Sequence, residues 1–122
     1  MAEQHPAVVA WPADILFGAR IRGAAEATGT LVRLVRDGEE LVVAARESAP
    51  RLVVVDLDAR GEPVAAIARL TADPATAGVP VLAYASHVRE DVMAAARAAG
   101  AERVVARGQF ARDLPALLKG GR

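Results

Sequence analysis

The run Leu52-Val53-Val54-Val55-Asp56 constrains this chain more than any other stretch. Four apolar residues stand side by side without polar alternation, and a carboxylate ends them. A strand with one face in water alternates apolar and polar residues, whereas a strand covered on both faces does not. The run therefore predicts a strand inside a parallel sheet with helices on either side.

The rest of the chain repeats the same grammar. Ala7 to Trp11 reads as a strand that Pro12 ends, since proline cannot donate to a ladder. Asp14 is placed to cap a helix running to about Thr28, with Phe17, Ile21, Ala24, Ala25 and Thr28 on one face and Gly29 as its stop. Leu31 to Val35 reads as the second strand. Asp37 and Glu40 then resemble a capping box for a helix to about Ser48, with Leu41, Val42 and Ala45 inward. The third strand, Leu52 to Asp56, leads to a turn at Gly61-Glu62 and a helix from Pro63 to about Ala72. After the breaker-rich loop Asp73 to Gly78, Val79 to Tyr84 reads as the fourth strand. Ser86 is placed to cap the next helix, whose inward face is Val88, Val92, Ala95, Ala96 and Ala99 and whose stop is Gly100. Val104 to Ala106 reads as a fifth strand and Phe110 to Leu118 as a last helix, kinked or restarted at Pro115.

Five strand–helix units imply a parallel α/β sandwich with right-handed crossovers, and the flavodoxin-like order 2-1-3-4-5 is the leading arrangement. Residues 1–122 are expected to form one domain, with an ordered core of about 7–118 and short flexible tails. Ligand sites in such sheets lie beyond the carboxyl ends of the strands. That places Trp11, Pro12, Asp14, Asp56, Asp58, Ala85, Ser86 and Arg107 around one mouth.

Composition removes several classes of function. Fifteen basic and fifteen acidic residues cancel, so no basic stripe for nucleic acid is expected. There is no cysteine, which excludes disulfides, thiolate nucleophiles and cysteine metal sites. No apolar run approaches membrane-spanning length and the N-terminus lacks the pattern of a signal peptide, so a cytoplasmic protein is expected. His5 and His87 have no partner at ligand spacing. The spaced glycines near Gly23 fall in and at the end of a helix without a lysine, and so make no phosphate loop. No Ser/His/Asp arrangement is visible, and no enzymatic activity is expected.

The segments RDGEELVVAARESAPRLVVVDLD, ADPATAGVPVLAYAS and VMAAARAAGAERVVAR, in this order and spacing, resemble a response-regulator receiver domain of the chemotaxis-regulator type over nearly the whole chain. The resemblance implies a phosphoacceptor Asp at the end of strand three, here Asp56. It implies a pair of acids after strand one to hold Mg²⁺, a Ser or Thr after strand four, and a Lys after strand five. Such cations and donors are needed because a carboxylate attacking a phosphoryl group must overcome like-charge repulsion. The chain departs from this pattern. Pro12 and Ala13 stand at the acid pair, with Asp14 one place late. Ala85 stands at the Ser/Thr position with Ser86 one place beyond, and Arg107 stands at the Lys position. Val104 stands where the family often carries a switching Tyr or Phe.

These departures point to a degenerate receiver, or pseudo-receiver, that works by protein contact without a cofactor. The implied contact face is helix four, strand five and helix five, for a protein partner or a homodimer. Asp56 then serves as a strand-end acid paired with Arg107 or capping a loop. Asp58 is a turn residue, and Trp11 either fills the space of the missing acids or packs on the rim with its N–H in water. Two alternatives stay open. One is an active receiver that takes Mg²⁺ with Asp14, Asp58 and Ser86 and is phosphorylated on Asp56. The more distant one is a ligand-binding or enzymatic domain that uses the same mouth.

Overall fold

The computed structural model describes residues 5–86 and 89–120. Ten elements alternate along them: β1 (Val8–Trp11), α1 (Ile15–Thr28), β2 (Val32–Leu34), α2 (Gly38–Ser48), β3 (Leu52–Asp56), α3 (Pro63–Ala72), β4 (Val81–Ala85), α4 (Glu90–Ala99), β5 (Arg103–Ala106) and α5 (Arg107–Leu118). The strands pair in parallel in the order β2-β1-β3-β4-β5. This is the flavodoxin-like arrangement expected from the alternation.

Strand pleating divides the interior into two halves. Val8, Ala10, Val54, Leu82 and Tyr84 pack with Phe17 and Ile21 of α1 and with Phe110 and Leu114 of α5. Val9, Trp11, Val53, Val55, Val81 and Ala83 belong to the other half, with Leu41 and Val42 of α2 and Ile67 and Leu70 of α3. Alternate residues along each strand thus feed opposite layers. Both layers are apolar, which is why the β3 run shows no alternation.

Helix ends follow the residues that cap them. The Asp14 carboxylate accepts from Phe17 N–H at 2.7 Å, and Asp37 accepts from Glu40 N–H at 2.8 Å. The reciprocal arm of the second cap reaches one residue further back, from Arg36 N–H to the Glu40 carboxylate. Gly100 ends α4 at φ +120°, and a Cβ there would lie 2.1 Å from Thr71 Oγ1. Only glycine fits both the backbone and the space. Helix α5 is anchored at its far end, where Arg51 donates to the carbonyls of Leu117 and Leu118 and the Thr30 hydroxyl donates to Leu118. These are the carbonyls a helix terminus otherwise leaves unsatisfied.

Several boundaries differ from those read in the sequence. β4 begins at Val81 rather than Val79, because Val79 N–H is used in a turn to Thr76 and Pro80 has none to give. β5 gains Arg103, which pairs with Leu82, and α5 begins at Arg107 rather than Phe110, directly on the end of β5. Proline 115 sits inside that helix. Ser86 does not cap α4. The helix begins at Glu90 behind Arg89, and the Ser86 N–H turns to Asp58 instead. On α4, Ala95 faces solvent, while Ala96 is buried and Val92, Met93 and Ala99 are partly so. His87 and Val88 lie outside the described residues.

Candidate functional site

Asp56 is the last residue of β3 and is fully buried. Its side chain sits at the strand ends, where β1 runs into α1 and β5 runs into α5. One oxygen, Oδ1, accepts from Asp58 N–H at 2.9 Å. The other, Oδ2, accepts from Ala13 N–H at 3.2 Å and from Arg107 Nη2 at 3.1 Å. Both oxygens are therefore engaged inside the protein. A buried carboxylate needs such partners to remain charged.

Arg107 is the first residue of α5, and its side chain is 30% exposed. The same Nη2 lies 3.6 Å from Asp14 Oδ2, so one guanidinium stands between two carboxylates. Its carbon rests 4.7 Å from the centre of the Phe17 ring, an additional attraction for a cation. Burial pulls the Arg107 pKa down, but the hydrogen bond and charge of Asp56 outweigh it and raise it.

Tyr84 lies opposite Asp56 in the β3–β4 register and is fully buried. Its ring stacks on Phe110 at 4.3 Å and meets Phe17 at 5.4 Å. Burial, reinforced by the charge of Asp56, pushes its phenol far above the ordinary value of 10.0. Neither its hydroxyl nor Arg107 Nε makes a hydrogen bond of ordinary geometry.

Asp58 forms a second, separate cluster. Its Oδ2 accepts from Ser86 N–H at 2.8 Å and its Oδ1 from Arg89 Nη1 at 2.7 Å. Burial acts to raise its pKa, but the hydrogen bonds from Ser86 and Arg89 outweigh it and bring it below 3.8.

No model of a known protein family matches the chain, and no curated protein matches it. Solved structures do. A phosphorylated cyanobacterial phytochrome response regulator is 22% identical, with a TM-score of 0.74 over 96% of this chain and 91% of that one. A chemotaxis response regulator of Vibrio cholerae is 14% identical, with a TM-score of 0.81 over 96% of this chain and 98% of that one. The receiver domain of a Pseudomonas aeruginosa sensor histidine kinase, whose structure holds a magnesium ion in the active-site cleft, is 17% identical, with a TM-score of 0.79 over 97% of this chain and 100% of that one.

The fold is that of a receiver domain.

Within this receiver fold, the residues read from the sequence divide into three groups. Asp56, Asp14 and Arg107 converge. Asp58 and Ser86 meet each other beside them. Ala85 and Trp11 belong to the opposite layer: Ala85 is buried there, and the Trp11 ring sits where a Cβ on Gly38 or Gly61 would lie 3.6 or 3.7 Å from it. At 2% exposure Trp11 is a core residue rather than a wet rim residue. Its place in the strand decides this, since residue 11 points to the same side as Val9.

A receiver's magnesium would have to be held by oxygens in near-octahedral array. Here Asp14 caps α1 and faces Arg107, Asp58 faces Ser86 and Arg89, and Asp56 has both oxygens bonded. Among the described residues no group of three His, Cys, Asp or Glu side chains is placed to hold a metal ion. In this arrangement the three carboxylates are turned to protein partners rather than to one common centre.

Three participants escape sequence reasoning. Ala13 acts through its backbone, so its residue type carries no signal. Arg89 is one charge in a run of charges, HVRED, that reads as a solvated face. Tyr84 did carry a signal: it is the one residue with a polar group in an otherwise apolar strand, one place before the end.

Proposed function

We propose that the protein is a receiver-fold module of two-component type that signals through protein contact, with Asp56 held by Arg107 rather than phosphorylated. The observation that carries this reading is the engagement of both Asp56 carboxylate oxygens, by Asp58 N–H on one and by Ala13 N–H and the Arg107 guanidinium on the other. A nucleophilic carboxylate must present a lone pair to the phosphorus while a cation draws charge from the phosphoryl oxygens. Arg107 supplies a cation, but it is bonded to the attacking group itself. An arginine fork also cannot copy the compact ammonium of a lysine.

The proposed contact face is α4, β5 and α5, for a protein partner or a second copy. A second reading is favoured by one observation. Among the described residues, the two most exposed large apolar side chains, Ile15 and Leu16 at 88% and 84%, stand at the start of α1 beside the mouth. Scattered apolar residues on a surface are common, but two adjacent ones at a strand-end mouth suit a contact.

The test uses Trp11, the only tryptophan. Mg²⁺ and then beryllofluoride, an acyl-phosphate mimic, are titrated against its fluorescence, with calorimetry for Mg²⁺ and Asp56→Asn as control. No saturable response is expected. A saturable response that disappears in Asp56→Asn would establish the active alternative, with Asp14, Asp58 and Ser86 rearranged around a metal.

A further inference from the structure

Beside the Asp56 cluster, and sharing Ala13 and Asp14 with it, a cavity of about 540 Å³ opens beyond the ends of β1 and β2. Its walls include Trp11, Pro12, Gly18, Leu34 and Val35, which give it an apolar interior. Its polar boundary is lopsided. Arg22 of α1, Arg36 after β2 and Arg60 after β3 all line it, and all three are exposed. None of the three guanidiniums has a carboxylate partner among the described residues. The arginines seen in ion pairs are Arg33, Arg46, Arg69, Arg89, Arg103 and Arg107. The one acid in the lining, Asp14, is committed to Phe17 N–H and faces Arg107.

Three uncompensated cations around one apolar hollow form an arrangement with a definite complement. The volume lies in the range of small-molecule pockets. The position is also the one such sheets use. It lies beyond the carboxyl ends of the strands, on the β2 side of β1, and ligands of open α/β sheets sit beyond those ends. Arginine forks pair with planar carboxylates and with phosphate oxygens.

We propose that this cavity binds a small organic anion, with its apolar body against Trp11, Leu34 and Val35 and its phosphate or carboxylate among Arg22, Arg36 and Arg60. The proposal does not rest on whether Asp56 is phosphorylated. Binding there would bear on the start of α1, where Asp14 links the pocket wall to Arg107.

The test uses four probes on one ring system: 1-naphthyl phosphate, 1-naphthoate, neutral 1-naphthol, and inorganic phosphate alone. Affinities come from calorimetry, and the site from amide shifts in ¹⁵N spectra of the whole chain. At least one of the two naphthyl anions should bind at least about tenfold more tightly than naphthol or phosphate, with Gly18 and Val35 amides shifting most. Tighter binding of the phosphate ester would mark a phosphate ligand, and of naphthoate a carboxylate. Arg22→Gln, Arg36→Gln and Arg60→Gln should each weaken binding by about threefold, the size of a partly exposed ion pair. Ala19→Phe, at an exposed position on the same wall, should block the cavity while the spectrum stays folded. Equal affinity for naphthol and the anions overturns the proposal. So does binding that survives all four variants, shifts confined to another face, or no binding by either anion.

Discussion

Arg107 Nη2 and Asp56 Oδ2 lie 3.1 Å apart, and the two residues come from strand ends that are not neighbours in the sheet. The carboxylate is wholly buried and the guanidinium only partly so. Removing the cation therefore strands a charge in the interior. Arg107→Met should cost about 2–4 kcal/mol in urea unfolding, since breaking a buried pair leaves the survivor uncompensated. Arg107→Lys keeps the charge and should cost about 1 kcal/mol. With Asp56→Asn in the same chain, the Arg107→Met cost should shrink by at least about 1 kcal/mol. Additive costs would mean the contact carries no coupling.

The hydroxyl of Tyr84 is buried beside Asp56 without a hydrogen bond of ordinary geometry. Tyr84→Phe removes a desolvated polar group and keeps the stack on Phe110. It should leave stability unchanged or raise it by up to about 1 kcal/mol, measured by thermal unfolding. A loss beyond about 1 kcal/mol would reveal a partner for the hydroxyl.

The same residue sets the alkaline limit. Its folded pKa is raised above the unfolded value of about 10, so its contribution is fully present below that pH. The contribution is lost as pH rises above it. Because Tyr84 is the only tyrosine, phenolate absorbance should appear only together with unfolding. Phenolate formation near pH 10 in a folded chain would contradict the burial.

Asp58 sets part of the acid limit. Its folded pKa is lowered below 3.8, so its contribution is present above that value and is lost as pH falls through the folded pKa. Asp58→Asn should flatten the acid side of the stability curve by less than about 1 kcal/mol, because its partner Arg89 is well exposed. An unchanged acid slope would show that the Ser86 and Arg89 contacts do not hold in solution.

Gly100 offers a sharper test of the fold. Gly100→Ala places a methyl against Thr71 at a φ that side chains avoid, and should lower stability by about 2–4 kcal/mol. The double variant with Thr71→Ala relieves the clash but not the backbone strain, and should recover only part of that loss.

Most of the architecture was legible because the apolar runs are short, regularly spaced and bounded by residues with local reasons to stop a helix. Asp14, Gly29, Pro63 and Gly100 mark their boundaries by chemistry that acts over one turn. The site was legible only in part. The likeness of Asp56 to a phosphoacceptor and the substitution at Arg107 both come from the resemblance to a receiver domain, which rests on order and spacing along the whole chain. Ser86 was misread because a capping side chain and a backbone donor give the same sequence. The structure uses the backbone donor, which meets Asp58. Trp11 was misplaced because reading it near the strand end ignored pleat parity, which turns residue 11 to the layer away from Arg107.

Helix α5 is held at both ends, by Arg107 on Asp56 at its start and by Arg51 and Thr30 on its last carbonyls. A rod fixed at two points has little freedom to adapt. Any protein that docks on it meets a ready-made shape and loses little entropy in ordering it. Selection among partners would then rest on complementarity already built, and modest affinity could be reached quickly, without waiting for a rearrangement.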